Sequence, residues 1–308
     1  MLRRGLVDLR DCNLYTKRVL VTSPPQYAGK LGSLLLEMGA HTLCAPTIDI
    51  GPLRRPEAIE RLDHHIHRLV GEDDGCGDGS EKQRTTYSHV LFSSKNGIRA
   101  TLARIDLVLP EGVNRLRRRQ EEGTIVCYAL GADADYATEV WGLHCERPTE
   151  ASTQGLVREM TRRGEAKGAR ALVPVPWVGG GLVEPMVVPK FLAALENAGV
   201  VSTRVDVYET TARPAATSPA GDLLRRGLVD AVVFSSTAES QGLASACGGK
   251  EQLVACIDRF GITLAAHGPY TATGCSEYLG RSVTVVGKEF SSFHGVVKSL
   301  EDHYGSKN

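Results

Sequence analysis

Lys17-Arg18-Val19-Leu20-Val21-Thr22 (K-R-V-L-V-T), a β-branched run followed at once by the turn signal Pro24-Pro25, carries the reading of the fold. Beyond it Leu31, Leu34, Leu35 and Met38 recur at helical spacing, and Gly39 supplies a residue suited to a left-handed cap. His41 to Ile50 then reads as a second strand. A strand, a helical crossover and a second apolar strand predict a parallel sheet covered by helices.

Working outward, the same signals return. Glu57 to Leu69 is helical in pattern, whereas Gly71 to Thr86 (G-E-D-D-G-C-G-D-G-S-E-K-Q-R-T-T) reads as an exposed, mobile insertion. Strand-like runs follow at His89 to Phe92, Ile125 to Leu130, Ala171 to Val175, Ser202 to Tyr208, Ala231 to Phe234, Ile262 to Ala266 and Ser282 to Val286, with helical segments between them. That alternation specifies an α/β protein.

The segments also repeat. Arg18-Val19-Leu20-Val21 returns as Arg170-Ala171-Leu172-Val173, and each copy precedes a helix closed by glycine, at Gly39 and at Gly199. Leu91-Phe92-Ser93-Ser94 returns as Val233-Phe234-Ser235-Ser236, Gly131 corresponds to Gly268, and Gly155-Leu156-Val157 to Gly295-Val296-Val297. Four matches in one order at nearly constant spacing imply two homologous halves. At 308 residues the chain is long enough for two cores.

Composition narrows the function. Lys plus Arg equals Asp plus Glu, 36 each, so no global field favours nucleic acid or an acidic membrane, and an anionic ligand has to be held by local geometry. No apolar stretch approaches the roughly 18 residues of a membrane helix. Eight scattered cysteines without a C-x-x-C pair read as reduced packing residues of an intracellular protein. Met1 to Arg10 has neither the apolar core of a secretory signal nor the acid-free composition of a transit peptide.

In a parallel α/β sheet ligands bind beyond the carboxyl ends of the strands, where loops enter helices. Ser93-Ser94-Lys95-Asn96-Gly97 and Ser235-Ser236-Thr237 are such loops, as is Pro269-Tyr270-Thr271-Ala272. Their hydroxyls and free N–H groups either cap helices or hold an anion, and three such sites facing one cleft favour the anion. Asp63-His64-His65-Ile66-His67 places His64 and His67 on one helical face, but with no third ligand nearby it reads as a solvated face, so no metal is expected. Gly179-Gly180-Gly181 lacks the lysine and spacing of a P-loop and reads as a flexible turn, and no G-x-S-x-G elbow marks a hydrolase.

V-L-V-T-S-P, the helix end E-M-G-A, A-P-T-I-D-I, the paired F-S-S segments, V-D-V-Y-E-T and H-G-P-Y-T-A together resemble the uroporphyrinogen III synthase family, from about Lys17 to Tyr304. The resemblance implies two flavodoxin-like lobes joined by a two-stranded extended hinge. One lobe would hold residues 1–45 and 213–308 and the other residues 46–212, with connectors at Pro46 to Pro52 and Val205 to Pro214.

It further implies cofactor-independent closure of hydroxymethylbilane to uroporphyrinogen III. The terminal hydroxyl leaves, the resulting azafulvene is attacked at the substituted carbon of the last ring, and a spiro intermediate recombines with that ring inverted. Tyr208 matches the family tyrosine given the role of acid to the leaving hydroxyl, and Thr271 matches the threonine of G-P-x-T-A. Thr22, Ser23, Ser93, Ser94, Asn96, Gly131, Ser235, Ser236 and Gly268 complete the expected substrate contacts. The implied partner is a tetrapyrrole, with no nucleic acid or membrane, in a monomer of the cytoplasm or, in a photosynthetic eukaryote, the plastid stroma.

The chain departs from the pattern in three places. Ser23 stands where arginine is frequent, Ala134 replaces the first-half threonine beside Asp133 and Asp135, and Pro176-Trp177 replaces a more polar loop. A catalytically silent relative that binds a tetrapyrrole or a protein partner is the alternative these departures favour, and a two-lobed anion sensor is a third.

Overall fold

A computed structural model describes residues 12–71, 86–289 and 292–306. The reading of Met1 to Arg10 and nearly all of the expected insertion, residues 72–85 with Cys76, lie outside the described residues.

The chain divides into two compact units. Unit 1 comprises Met1–Ile50, Gly179–Glu184 and Thr211–Asn308, and unit 2 comprises Gly51–Val178 and Pro185–Thr210. The first sheet contains β1 (Arg18–Val21), β2 (His41–Cys44), β8 (Ala231–Phe234), β9 (Thr263–Ala266) and β10 (Val285–Val286), in the order β10-β9-β8-β1-β2. Every pairing in it is parallel. The second sheet contains β3 (Ile48–Pro52), β4 (His89–Phe92), β5 (Val126–Ala129), β6 (Arg170–Gly179) and β7 (Val201–Ala212), in the order β3-β7-β6-β4-β5.

The repeat seen in the sequence is also a repeat of sheet position. With β1, β2, β8 and β9 matched to β6, β7, β4 and β5, the run β9-β8-β1-β2 has the same order as β5-β4-β6-β7. The matched strands occur in different chain order, because the first unit's opening βαβ corresponds to the closing βαβ of the second. Edge strands β10 and β3 have no counterpart.

In unit 1 alternate residues of each strand enter separate cores, as the period of two in a strand requires. Leu20, Val232, Phe234 and Leu264 join a cluster with Leu224, Leu243, Leu253 and Cys275, from α8 (Ala220–Arg225), α9 (Thr237–Cys247), α10 (Lys250–Phe260) and α11 (Pro269–Leu279). Val19, Val21, Val233 and Ala265 pack on the opposite face with Leu31 and Leu35 of α1 (Pro25–Glu37) and Val296 and Leu300 of α12 (His294–Gly305). Gly39 ends the first crossover with φ of 80°, the left-handed cap expected of it.

Unit 2 is built similarly. Leu91, Tyr128, Ala171 and Val173 pack with Leu156 and Met160 of α6 (Thr153–Arg162) and Phe191 and Leu195 of α7 (Val187–Asn197). Its remaining helices are α2 (Pro56–Leu69), α3 (Lys95–Val108), α4 (Gly112–Glu121) and α5 (Asp133–Trp141).

Two strands run further than the apolar runs at Ala171 to Val175 and Ser202 to Tyr208, the second into the extended connector expected at Val205 to Pro214. β6 continues through Pro174 and Pro176 to Gly179, and β7 continues past Tyr208 to Ala212. Proline removes a ladder donor, yet the pairing of β4 with β6 covers only His89↔Ala171 and Val90↔Leu172, so both prolines lie beyond it. Trp177, expected in a loop, is therefore in a strand, with the Arg55 guanidinium 4.9 Å from its ring centroid.

Candidate functional site

In unit 1 the end of β8 turns into α9 through Ser235 and Ser236, with Ser236 the N-cap. The turn is organised by Glu239, three residues into the helix and fully buried. Its Oε2 accepts the backbone N–H of Ser235 at 3.0 Å and the Thr22 hydroxyl at 2.9 Å, with the Ser23 hydroxyl at 3.4 Å. Oε1 accepts the hydroxyls of Ser235 and Ser236, the latter at 3.4 Å. Burial raises the carboxyl above its ordinary pKa, and the hydrogen bonds from Ser235, Thr22 and Ser23 work against that rise.

This changes the reading of four residues. Thr22 and Ser23 are wholly buried, and their hydroxyls are engaged with the protein's own carboxyl where an external anion had been expected. Ser235 and Ser236 are half-buried and donate inward to the same group. A side-chain carboxylate at a helix start meets the need of that terminus for a negative partner. The missed residue has a sequence signal, since Ser236-Thr237-Ala238-Glu239 is the S-x-x-E spacing of a capping box. The bond goes to the N–H of Ser235, one residue before the cap, and the same oxygen takes the hydroxyls of Thr22 and Ser23, which follow β1.

The first two turns of α9 bind other segments of unit 1. Thr47 Oγ1 donates to the Glu239 carbonyl at 3.1 Å, and the Gln241 side-chain amide pairs with Val183, accepting its N–H at 2.7 Å and donating to its carbonyl at 2.8 Å. Val183 follows Gly179-Gly180-Gly181, whose last two glycines have positive φ. Gly268 is the extended N-cap of α11, and Thr271 sends its hydroxyl to the Ser235 carbonyl at 3.4 Å, so the second-half threonine and the serine turn are brought together.

In unit 2 Ser94 caps α3, accepting the Gly97 N–H at 3.1 Å. Its Oγ lies 3.3 Å from the hydroxyl of Tyr208, a buried residue of β7. Two expected site residues, far apart in sequence, thus meet. A Cβ at Gly97 would stand 3.3 Å from the Pro174 carbonyl oxygen, slightly tight, and 3.4 Å from Ser94 Oγ, an ordinary contact. Asn96 is buried and accepts from Arg99 at 3.5 Å, and Ser93 is half-buried at the end of β4.

The two acids that distinguish the first half are both partnered. Asp133 accepts the backbone N–H of Lys95 at the head of α3, and burial raises its carboxyl to about 6. Asp135 pairs with Arg147. Gly131 precedes them with φ of 49°, and Ala134 is packed in the interior. Lys95 Nζ lies 4.2 Å from the ring centroid of Tyr136.

The histidine row on α2 has a local role. His65 Nδ1 is 2.8 Å from the Tyr87 hydroxyl, and burial lowers its pKa to about 4. Among the described residues no group of three or more His, Cys, Asp or Glu side chains is placed to hold a metal ion. None of the described helices is long and apolar enough to cross a membrane.

A family model described as uroporphyrinogen-III synthase HemD matches residues 29–294. No curated protein sequence matches the chain. Among solved structures, a mutant uroporphyrinogen III synthase from Thermus thermophilus aligns with 95% of this chain and 100% of its own, at 16% identity and a TM-score of 0.59. Uroporphyrinogen-III synthetase from Helicobacter pylori aligns with 94% of this chain and 100% of its own, at 11% identity and a TM-score of 0.47. At 16% identity the Thermus likeness speaks for the fold alone.

Proposed function

Because the chain belongs to the uroporphyrinogen-III synthase HemD family, we propose that it cyclises hydroxymethylbilane to uroporphyrinogen III, with loss of water and inversion of the last ring. The observation that carries this reading is the Tyr208 and Ser94 hydroxyl pair at the head of α3. The substrate is intrinsically reactive, so the protein has two tasks. It assists departure of the terminal hydroxyl, and it holds the chain in the one conformation that closes with inversion.

Tyr208 is assigned the first task. Its phenol gives a proton to the departing hydroxyl, which leaves as water. The Gly97 N–H already occupies a lone pair of Ser94, so the serine's own proton is available to the phenolate oxygen that develops 3.3 Å away. A general acid of this kind contributes roughly 10²- to 10⁴-fold.

The second task is positioning, which supplies as much as roughly 7 to 11 kcal/mol in the best intramolecular reactions. Substrate carboxylates are assigned to backbone N–H groups at helix starts, with Ser93 beside them, because the hydroxyls of Thr22, Ser23, Ser235 and Ser236 serve Glu239 and that of Thr271 serves the Ser235 carbonyl. No cofactor has a place in this scheme.

A second reading, a catalytically silent relative that binds a tetrapyrrole, draws on Ala134, which is buried where the repeat has Thr271. Supplying freshly generated hydroxymethylbilane and resolving the I and III isomers after oxidation decides between them. Isomer III in excess supports the synthase. Isomer I at the rate seen without protein removes it.

A further inference from the structure

We infer that Glu239 sets the hydrogen-bonding polarity of the Ser235-Ser236 turn, so that the turn takes the N–H donors of a linear pyrrole chain and turns away its carboxylates. The inference names a substrate contact within the synthase reading and rests on it.

One donor of the cluster, a backbone N–H, cannot rotate. The Ser235 backbone N–H points at Glu239 Oε2 over 3.0 Å, which makes Oε2 an acceptor and fixes the plane and the sense of the carboxyl group. Oε1 is then the atom facing the hydroxyls of Ser235 and Ser236. A serine hydroxyl has one proton and two lone pairs. With both protons committed inward to Oε1, the two oxygens present lone pairs on their other sides.

Ser23 adds to the same polarity. Its Oγ is 3.2 Å from Ser235 Oγ and 3.4 Å from Glu239 Oε2, so its proton is also spent inside the cluster. The Thr22 hydroxyl lies between Glu239 and the Val233 carbonyl, 2.9 and 3.2 Å away, both of them acceptors. Thr22 and Ser23 have no exposed surface, and only Ser235 and Ser236 are partly open. A carboxylate brought to this turn would meet acceptor oxygens with no free hydroxyl proton between them. A pyrrole N–H, a donor with no lone pair to offer, meets what it needs.

A conservative substitution inverts this pattern. In Glu239→Gln the Ser235 N–H still requires an oxygen acceptor, so the amide oxygen takes the place of Oε2 and the NH₂ takes that of Oε1. The NH₂ donates to Ser235 and Ser236, whose protons then face outward. Volume and packing hardly change, so a role confined to folding would leave ligand selectivity where it was.

The test uses the full chain and two ligands titrated calorimetrically: an octacarboxylate bilane lacking the terminal hydroxyl, and its counterpart methylated at every pyrrole nitrogen. The wild type should bind the N–H form about tenfold more tightly, the loss expected from leaving a polar group unpaired. In Glu239→Gln the preference should shrink to about threefold or less. Ser236→Ala removes one acceptor without touching the carboxyl and should also lower the preference, which settles the matter if Glu239→Gln does not fold by circular dichroism. Full selectivity retained in both variants overturns the inference, and so does a wild type that binds the two bilanes equally or binds neither. Selective binding together with isomer I at the uncatalysed rate would instead leave this inference standing and remove the synthase reading.

Discussion

Gly242→Ala on α9 should destabilise the protein, although alanine is the better helix former. A Cβ at Gly242 would lie 2.4 Å from the Thr47 carbonyl oxygen, 2.9 Å from Ile48 Cγ2 and 3.0 Å from the Thr47 carbonyl carbon. Ordinary contact begins at about 3.5 Å, so helix and strand must separate by about 1 Å. None of these atoms is the free end of a flexible side chain. The same Thr47 carbonyl accepts the Arg213 N–H at 2.9 Å, and the Thr47 hydroxyl reaches the Glu239 carbonyl at 3.1 Å, so the separation strains both bonds. Overpacking costs about 1 to 3 kcal/mol and a weakened hydrogen bond about 1, while the Gly-to-Ala gain in helix propensity returns about 1. The net loss is about 2 kcal/mol, or a melting temperature lower by about 4 to 8 °C for a unit of this size. Scanning calorimetry beside Gly29→Ala provides the control, because nothing lies within 4 Å of a Cβ at Gly29 in α1 and that variant should melt slightly higher. A Gly242→Ala protein as stable as Gly29→Ala would show that the close approach of α9 to Thr47 is not a constraint.

Tyr208→Phe should lower turnover of hydroxymethylbilane about 100-fold while leaving the affinity for a bilane without the terminal hydroxyl unchanged, measured by isomer-resolved kinetics and titration; an equal loss in affinity would count against the acid role. Asp133 titrates near 6 in the folded protein, above the roughly 3.9 of an unfolded chain, so the stability it contributes is complete below pH 4 and is lost as pH rises through 6. Asp133→Asn keeps an acceptor for the Lys95 N–H, and urea midpoints should therefore match the parent at pH 4 and exceed it at pH 8. Arg119 is held by the carbonyls of Leu69 at 2.6 Å, Tyr87 at 2.9 Å and Thr124 at 3.2 Å, and Arg119→Met leaves these acceptors without their donor. Urea denaturation should register a loss of about 1 to 3 kcal/mol, and an unchanged midpoint would show that the carbonyls find other partners.

Much of the architecture was legible because it depends on short-range patterns. The β-branched run at Arg18–Val21, the helical spacing of Leu31 and Leu35 and the glycine at 39 specify a βαβ unit with no knowledge of the remainder. The repeat was legible because its copies keep apolar side chains that face separate cores in the two units, Val19 and Val21 in one and Ala171 and Val173 in the other. Strand ends were less so, since β6 runs on to Gly179 past Leu172, the last residue it pairs with β4, and Pro174 and Pro176 give no sign of that continuation. Ser94 and Tyr208 could each be nominated from sequence, but their contact could not, because 114 residues separate them.

The serine turns mark the division most sharply. Residue types alone identify hydroxyls at the ends of parallel strands, and hence a polar site at the head of a helix, because strand, turn and cap are decided by neighbours in the chain. Which way those hydroxyls point is decided in unit 1 by Glu239, which gathers partners as far off as Thr22, and in unit 2 the Ser94 hydroxyl meets Tyr208 and the Gly97 N–H. A hydrogen bond has a direction that composition does not record, and a buried carboxyl sets that direction only after folding has brought distant donors around it.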